Sequence, residues 1–212
     1  MAQFISNVAT EEPLSHFELY ERLRRELDAD TLAHIERTAV VARELAAAHG
    51  VDPDRAELAA MLHDVADGYS DRQLLQMAEK YGIEVNLTEA RVPKLLHGKV
   101  GAEILRHEWG ITDDEILDAV RFHLSGSAIM GELAKVLFVA DKIEPDRDKF
   151  YHDLGPLREI ALRSLDEAML KLYAWRMDQL VESGKPIHEE LSIARNALIE
   201  HAQATLETQG GW

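Results

Sequence analysis

The stretch Ala59–Gly68, AAMLHDVADG, places a histidine and an aspartate side by side directly after an apolar run. Both residue types are ordinarily exposed, yet the preceding residues follow a helical spacing that buries Leu58 and Leu62. The start of this helix is also marked, because Asp52 is a preferred N-cap residue and Pro53 suits the first turn. The stretch therefore predicts a buried helix that ends either on two metal ligands or on a histidine that caps its own carbonyls.

Helical spacing continues along the rest of the chain. Capping boxes are expected at Ser15 with Glu18 and at Thr112 with Glu115. No two alternating β-branched runs are joined by a hairpin signal, so the fold is predicted to be all-α. Helices are expected at about 17–27, 30–49, 52–66, 70–82, 95–110, 112–123, 131–144, 156–183 and 188–207, with loops at 86–93 and 146–155.

The length of the chain indicates a single domain. A chain of 212 residues suits one domain, and no long linker, repeat or low-complexity tract divides it. Residues 1–14 are expected to form a flexible arm, and residues 15–183 the helical domain that carries the chemistry. Residues 184–212 are expected to form a C-terminal helix and tail that pack on or beside this domain.

Composition excludes several classes of function. The formal net charge is −16, so the chain has no general attraction for DNA or RNA, and no nucleic-acid partner is expected. The chain has no cysteine, which excludes disulfides, thiolate zinc sites and a cysteine nucleophile. The N-terminal residues lack the pattern of a signal peptide, and no apolar run approaches the length of a membrane span. We therefore expect a cytoplasmic protein with no membrane partner.

The chain contains ten histidines, so one His-Asp pair carries little weight by itself. A lone histidine beside an apolar stripe, such as His34, is more often a satisfied core residue than a ligand. Histidine or aspartate recurs, however, at apolar-flanked positions in five helical segments. Asp141 is the sharpest case, because it follows the mostly apolar residues 136–140, and a buried carboxylate is costly unless it is paired or binds metal. The recurring residues are His34, His63, Asp64, His97, His123 and Asp141.

These six residues predict a metal centre. Four imidazoles and two carboxylates suit two first-row metal ions, iron, manganese or zinc, with positions left for water and substrate. A carboxylate can bridge two cations, and Asp64 is the natural candidate. The remaining histidines lie at helix ends or in polar stretches and are expected outside the site: His16, His49, His107, His152, His188 and His201.

The ordered set of six residues resembles the pattern of HD-domain phosphohydrolases. Three short motifs are similar to those of the YqeK-type subfamily, namely LLHGKVGAE (95–103), AVRFHLSG (119–126) and VADKIEPDR (139–147). The resemblance covers about residues 30 to 165. It implies an HD-domain helical bundle with a C-terminal helical extension. It also implies a symmetrical bis(5'-nucleosyl)-tetraphosphatase, which cleaves diadenosine tetraphosphate into two molecules of ADP.

The resemblance also implies an arrangement of ligands, which it carries over residue by residue. One ion, typically iron in this family, would be held by His34, His63, Asp64 and Asp141. The second ion would be held by Asp64, His97 and His123.

Two positions depart from the family pattern. Asp67 stands where the family usually has a lysine, and the family's HTTG-like turn reads HLSG, with Ser125 and Gly126 retained. The first departure removes a cation from beside the phosphates and leaves the nucleotide substrate open.

Local basic residues are needed to hold a polyphosphate against the acidic field of this chain. The candidates are Arg37, Lys99, Lys142 and Arg147; the resemblance places Arg147 near the substrate pocket, and for Arg147 and Lys99 we favour phosphate binding over a purely structural role. The competing interpretation of each residue is a solvated helix face.

Two rival functions remain open at the level of the sequence. The first is an HD-type nucleotidase that releases phosphate from a mononucleotide with the same metal ions. The second is a non-catalytic HD module that binds a nucleotide, although such modules usually lose ligands and this chain keeps all six. The C-terminal helices could pack inward or form a homodimer.

Overall fold

The computed structural model describes residues 15–149 and 154–209. The predicted arm, residues 1–14, lies outside the described residues. The described residues contain no strand, which confirms the all-α prediction. The α-helices are α1 (His16–Glu26), α2 (Ala29–His49), α3 (Pro53–Leu62), α4 (Asp71–Tyr81), α5 (Leu87–Arg91), α6 (His97–Glu108), α7 (Asp114–Phe122), α8 (Glu132–Ile143), α9 (Gly155–Ala161), α10 (Leu165–Glu182) and α11 (Glu189–Gln209), with 3₁₀ turns at Pro93–Leu96 and Pro145–Lys149.

Side-chain caps start the first four predicted helices close to where the sequence places them. The Ser15–Glu18 capping box is present, and Asp52 accepts a hydrogen bond from the Asp54 backbone at 2.9 Å. The box predicted at Thr112 is wrong, because the cap is Asp113. Its carboxylate accepts from the backbone of α7 and from Arg55, so a contact with α3 selects the later start.

Two further boundaries differ from the sequence prediction. The loop expected at 86–93 contains α5, which Asn86 caps through a capping box with Glu89. The helix expected at 156–183 is interrupted between α9 and α10, where the Ser164 side chain accepts from the Glu167 backbone at 3.2 Å. Short polar caps of this kind satisfy the free backbone N–H groups at a helix start, so they allow a new helix inside a predicted loop or helix.

The core is one continuous cluster of apolar side chains that extends from Leu19 in α1 to Ala194 in α11. Helix α8 is buried over most of its surface, and α2, α7 and α10 pack against it. A helix that is apolar on all sides belongs in the middle of a helical protein. Asp141 therefore lies in the most buried helix, where its carboxylate needs charged or metal partners.

The C-terminal helices join this core. Tyr173 of α10 is fully buried, and its ring lies 5.0 Å from that of Phe138 in α8. Gly126 has φ +75°, and a Cβ atom there would lie 1.9 Å from the Tyr173 hydroxyl oxygen. Glycine at this position thus allows α10 to approach the turn after α7. None of the described helices is both long and apolar enough to span a membrane.

Candidate metal centre

The six residues singled out in the sequence lie together at the centre of the bundle. His34 comes from the second turn of α2 and Asp141 from α8, and His97 is the first residue of α6. His63 and His123 are the C-cap residues of α3 and α7. Four of the six, His63, His97, His123 and Asp141, are buried, while His34 and Asp64 are partly buried.

Asp64 lies between two groups of ligand atoms. Its Oδ2 atom is 3.2 Å from His63 Nε2 and 3.8 Å from His34 Nε2. Its Oδ1 atom is 3.2 Å from His97 Nε2 and 3.5 Å from His123 Nε2. The two carboxylate oxygens thus face different histidine pairs, which is the arrangement that a bridging carboxylate requires.

Helix ends orient three of the four imidazoles. His63 Nδ1 is 2.6 Å from the Ala60 carbonyl, His97 Nδ1 is 2.8 Å from the Lys94 carbonyl and His123 Nδ1 is 2.7 Å from the Val120 carbonyl. In each case the acceptor is three residues earlier, in the last turn of a helix or 3₁₀ turn. Carbonyls in that turn lack a full set of intrahelical donors, so they can accept the Nδ1 proton. The lone pair of each Nε2 atom then points inward, as a metal ligand requires.

His34 is oriented by a side chain instead. Its Nδ1 atom lies 3.2 Å from Glu144 Oε1, and the second Glu144 oxygen accepts from Arg37 Nε at 2.7 Å. Glu144 is buried, and its backbone lies at the end of α8, one turn after Asp141. Glu144 was not among the predicted site residues, although its spacing of three residues from Asp141 places both carboxylates on one side of a helix.

The donor set fits metal ions. His97 Nε2 and His123 Nε2 are only 3.0 Å apart, although both Nδ1 atoms already face carbonyls. Two nitrogens that each lie about 2.1 Å from one ion, at a right angle to each other, are about 3.0 Å apart. His63 Nε2 is fully buried and makes no hydrogen bond within the described residues, although Asp64 Oδ2 lies 3.2 Å away. Acceptor atoms that converge in this way repel one another unless a cation lies between them.

The electrostatics of the cluster favour positive charge at its centre. Burial lowers the pKa of His63, but the Asp64 and Asp141 carboxylates outweigh burial and raise that pKa to about 9. Burial dominates at His123 and lowers its pKa to about 4. Burial raises the pKa of Asp64, but the facing histidines hold it well below its usual range. Both carboxylates of the cluster are thus ionised and available as ligands.

Two basic side chains border the cluster. Arg147 donates from Nη2 to Asp141 Oδ1 at 2.6 Å, and the same nitrogen lies 3.1 Å from His34 Nε2. Lys142 donates to the His123 carbonyl at 2.6 Å and to Asp141 Oδ2 at 3.0 Å. The cations predicted at these positions therefore lie next to the candidate metal ligands.

Lys99 is not brought to the six residues. Its ammonium lies 2.7 Å from Oε1 of Glu89, a buried carboxylate that also contacts His188. In this pair the positive charge of Lys99 neutralises the buried Glu89 carboxylate. The phosphate-binding role predicted for Lys99 has no support in this arrangement.

Asp67 is paired with a lysine that the sequence analysis did not single out. Lys94 Nζ lies 2.7 Å from Asp67 Oδ1 and also donates to the Asp67 carbonyl. Lys94 thus places a cation beside position 67, but its charge is paired with the Asp67 carboxylate. Asp67 Oδ1 is 4.0 Å from His97 Nδ1, but that nitrogen already faces the Lys94 carbonyl, so we place Asp67 beside the cluster rather than among its ligands.

An open cavity of about 600 Å³ adjoins the cluster on the side of the C-terminal helices. Asp141, Lys142 and Arg147 line one part of it, and Arg176, Lys185 and His188 also line it. His188 was expected outside the metal site; it does not contact the six residues, but it lines this cavity. Its position could not be read from the sequence, because the contact depends on how the segment before α11 folds back on the bundle.

The other histidines that were expected outside the metal site lie away from it or fall outside the described residues. His49 Nε2 is 2.7 Å from the Ala161 carbonyl, and His107 Nε2 is 3.4 Å from Glu103. His201 borders a separate, smaller cavity. The side chains of His16 and His152 lie outside the described part of the chain.

Comparison with known proteins places this site in a family. The HD domain family matches residues 31–146 of this chain. The symmetrical bis(5'-nucleosyl)-tetraphosphatase of Bacillus subtilis (strain 168) is 30% identical over 177 residues, which cover 84% of this chain and 94% of that protein. The protein of the same name from Staphylococcus aureus (strain NCTC 8325 / PS 47) is 35% identical over 133 residues, which cover 62% of this chain and 68% of that protein.

A solved structure shows the same fold. It is a predicted HD superfamily hydrolase involved in NAD metabolism from Clostridium acetobutylicum, with a TM-score of 0.86 and 27% identity. The similarity covers 90% of this chain and all of that chain. The family match, the relatives and the fold confirm the resemblance, and the chain belongs to the HD-domain family as a YqeK-type member.

Proposed function

We propose that this protein is a metal-dependent hydrolase that cleaves diadenosine tetraphosphate symmetrically into two molecules of ADP. The observation that carries the proposal is the position of Asp64, whose two oxygens face separate histidine pairs. The names of the relatives from Bacillus subtilis and Staphylococcus aureus support this activity and this substrate.

Two ions would be held by the six residues, with His34, His63 and Asp141 around one, His97 and His123 around the other, and Asp64 between them. Iron is the metal that the family resemblance favours, with manganese and zinc as alternatives. When bound, two such ions supply a nucleophilic water at neutral pH and neutralise the charge that develops on the attacked phosphate.

The side chains of the protein would position the substrate around this centre. Asp64 and Asp141 act as ligands and not as nucleophiles, because their oxygens face imidazole Nε2 atoms. Arg147 and Lys142 lie beside Asp141, where their charges can hold phosphate oxygens that are not attacked. Lys99 pairs with Glu89 instead. Any effect of Lys99→Ala is therefore expected to come from the loss of this ion pair and not from lost phosphate binding.

Product analysis and metal analysis test the proposal together. Untagged protein should contain two metal ions per chain and convert diadenosine tetraphosphate to ADP alone. Asp64→Ala should lose at least one ion and nearly all activity. ATP with AMP as products would refute symmetrical cleavage, and phosphate release from mononucleotides would favour the nucleotidase. Tight nucleotide binding without turnover by the metal-loaded protein would favour the non-catalytic module.

Three further expectations stay predictions. They are a cytoplasmic location, the absence of a nucleic-acid partner and a possible homodimer. Gel filtration with light scattering measures the last, and a titration with duplex DNA at low salt measures the second.

A further inference from the structure

The cavity beside the metal cluster carries an excess of positive charge in an acidic protein. Its described lining residues include four cations, Lys142, Arg147, Arg176 and Lys185, and a single carboxylate, Asp141. The chain as a whole has a net charge of −16. A local concentration of cations against that background favours an anionic ligand in this cavity.

Two of these cations have no acidic partner within the described parts of the chain. Lys142 and Arg147 both pair with Asp141, but neither Arg176 nor Lys185 forms an ion pair with a described carboxylate. Arg176 lines the same cavity as Lys142 and Arg147, so three positive charges are held close together. Like charges held close together in this way are relieved when an anion binds between them.

The rest of the cavity is apolar. One face of α10 contributes Leu172, Arg176 and Leu180, which are spaced four residues apart and therefore lie along one side of the helix. Leu95 and Leu191 contribute from the turn before α6 and from α11. About 600 Å³ is a typical volume for a small-molecule site. An apolar wall next to a cationic region suits a ligand with a flat, weakly polar part and a polyphosphate.

Several residues that line the cavity lie outside the part of the chain that matches the HD domain family. The HD domain match ends at residue 146, whereas Arg176, Leu180, Lys185 and Leu191 all follow it. The cavity is thus lined both by residues of the HD domain match, such as Leu95, Leu124 and Lys142, and by the segment that follows it.

We propose that α10 and the segment leading into α11 form a subsite for one nucleoside diphosphate unit of the substrate. Its phosphates would contact Arg176 together with Lys142 and Arg147, and its nucleoside would lie against Leu180 and the neighbouring apolar wall. The proposal takes the identity of its ligand from the proposed function, but the subsite itself rests on the charge and shape of the cavity.

Calorimetric titration of the metal-loaded enzyme with ADP, inorganic pyrophosphate and adenosine tests the subsite. ADP should bind at least tenfold more tightly than either pyrophosphate or adenosine, because only ADP fills both regions. Arg176→Gln should weaken ADP and pyrophosphate alike, by about tenfold, for the loss of one charge-assisted contact. Leu180→Ala should weaken ADP several-fold and leave pyrophosphate unchanged, and the unchanged pyrophosphate affinity also shows that this variant is folded.

Lys171→Gln is the matched control, because Lys171 is an exposed cation on the same helix that does not line the cavity. Metal content should be the same in all variants. The subsite is refuted if pyrophosphate binds as tightly as ADP, or if Arg176→Gln binds ADP as well as Lys171→Gln does. Failure of the proposed function gives a different result, namely ADP binding with the expected variant effects but no hydrolysis of diadenosine tetraphosphate.

Discussion

Among single residues, Glu144 has a role that the six candidate ligands do not share. It fixes the ring of His34 through Nδ1, whereas backbone carbonyls fix the other three imidazoles. A carboxylate in this position makes the imidazole a stronger ligand and selects which nitrogen faces the metal. Glu144 is itself held by Arg37 at 2.7 Å, so the interaction is part of a fixed network.

Replacing Glu144 should therefore weaken metal binding without removing a ligand. Glu144→Ala is expected to lower the affinity of one of the two ions by about 10–100-fold, and Glu144→Gln should lower it less because the amide oxygen still accepts. Competition with a chelator measures both. Arg37→Ala should lower the affinity less than Glu144→Ala, since it leaves the contact between Glu144 and His34 in place and removes only one of the groups that hold Glu144. Equal affinities in wild type and Glu144→Ala would contradict a positioning role.

The sequence could identify potential ligands but not the residues that support them. His63 and Asp141 are conspicuous because each interrupts an apolar pattern. Glu144 and Lys94 are ordinary charged residues in the sequence, and their roles depend on which helices meet around them. Lys94 shows this clearly, because it contacts Asp67 from 27 residues away.

At the scale of elements, an internal ion pair connects α5, α6 and the start of α11. Glu89 of α5 is fully buried and contacts Lys99 of α6 at 2.7 Å and His188 at 3.1 Å. His188 Nδ1 accepts from the Glu190 backbone at 3.2 Å, so its Nε2 proton is directed at Glu89. The network holds the segment that carries Lys185 against the cavity.

This network should give a pH-dependent contribution to stability. Burial raises the pKa of Glu89, but hydrogen bonds from His188, Lys99 and Asn86 outweigh it and lower the pKa from 4.5 to about 2. The stabilisation is therefore complete above about pH 4.5 and is lost as the pH falls towards 2. Its upper limit is on the order of 3 kcal/mol.

Urea unfolding of wild type and Glu89→Gln at several pH values measures this contribution. The difference in unfolding free energy should be largest at neutral pH and should shrink between pH 4.5 and 2. Glu57→Gln is the matched control, because Glu57 forms a surface ion pair with Arg43 and such pairs contribute little. A difference for Glu89→Gln that does not change with pH would show that its charge is not what stabilises the fold.

Helices with strong periodicity and caps were predictable from the sequence, and α2 and α4 begin and end within a residue or two of their predicted positions. The failures lie where local signals compete. Thr112 and Asp113 can both cap α7, and the contact of Asp113 with Arg55 decides between them. Ser164 breaks a long apolar pattern because its side chain can cap a new helix.

At the scale of the whole molecule, the division into a domain of residues 15–183 and a separate C-terminal part remains a prediction. Within the described residues, one apolar core includes Leu180, Leu191 and Ala194, so the last helix shares its core with the rest. Sequence periodicity indicated that this helix exists. It could not indicate what the helix covers, because α11 has apolar residues on more than one face, including exposed Ile193.

Deleting residues 184–212 tests the division directly. The deletion uncovers apolar side chains of α10, at a cost of about 1.5–3 kcal/mol for each large one. It also removes His188 from the buried Glu89, and it removes Lys185 and Leu191 from the cavity. The thermal unfolding midpoint should therefore fall, and the folded protein should bind ADP more weakly. Its metal content should not change, because all six candidate ligands lie between residues 34 and 141. If the shortened chain keeps the unfolding midpoint and the ADP affinity of the full chain, residues 15–183 are sufficient for both, and the C-terminal helix has no part in the site.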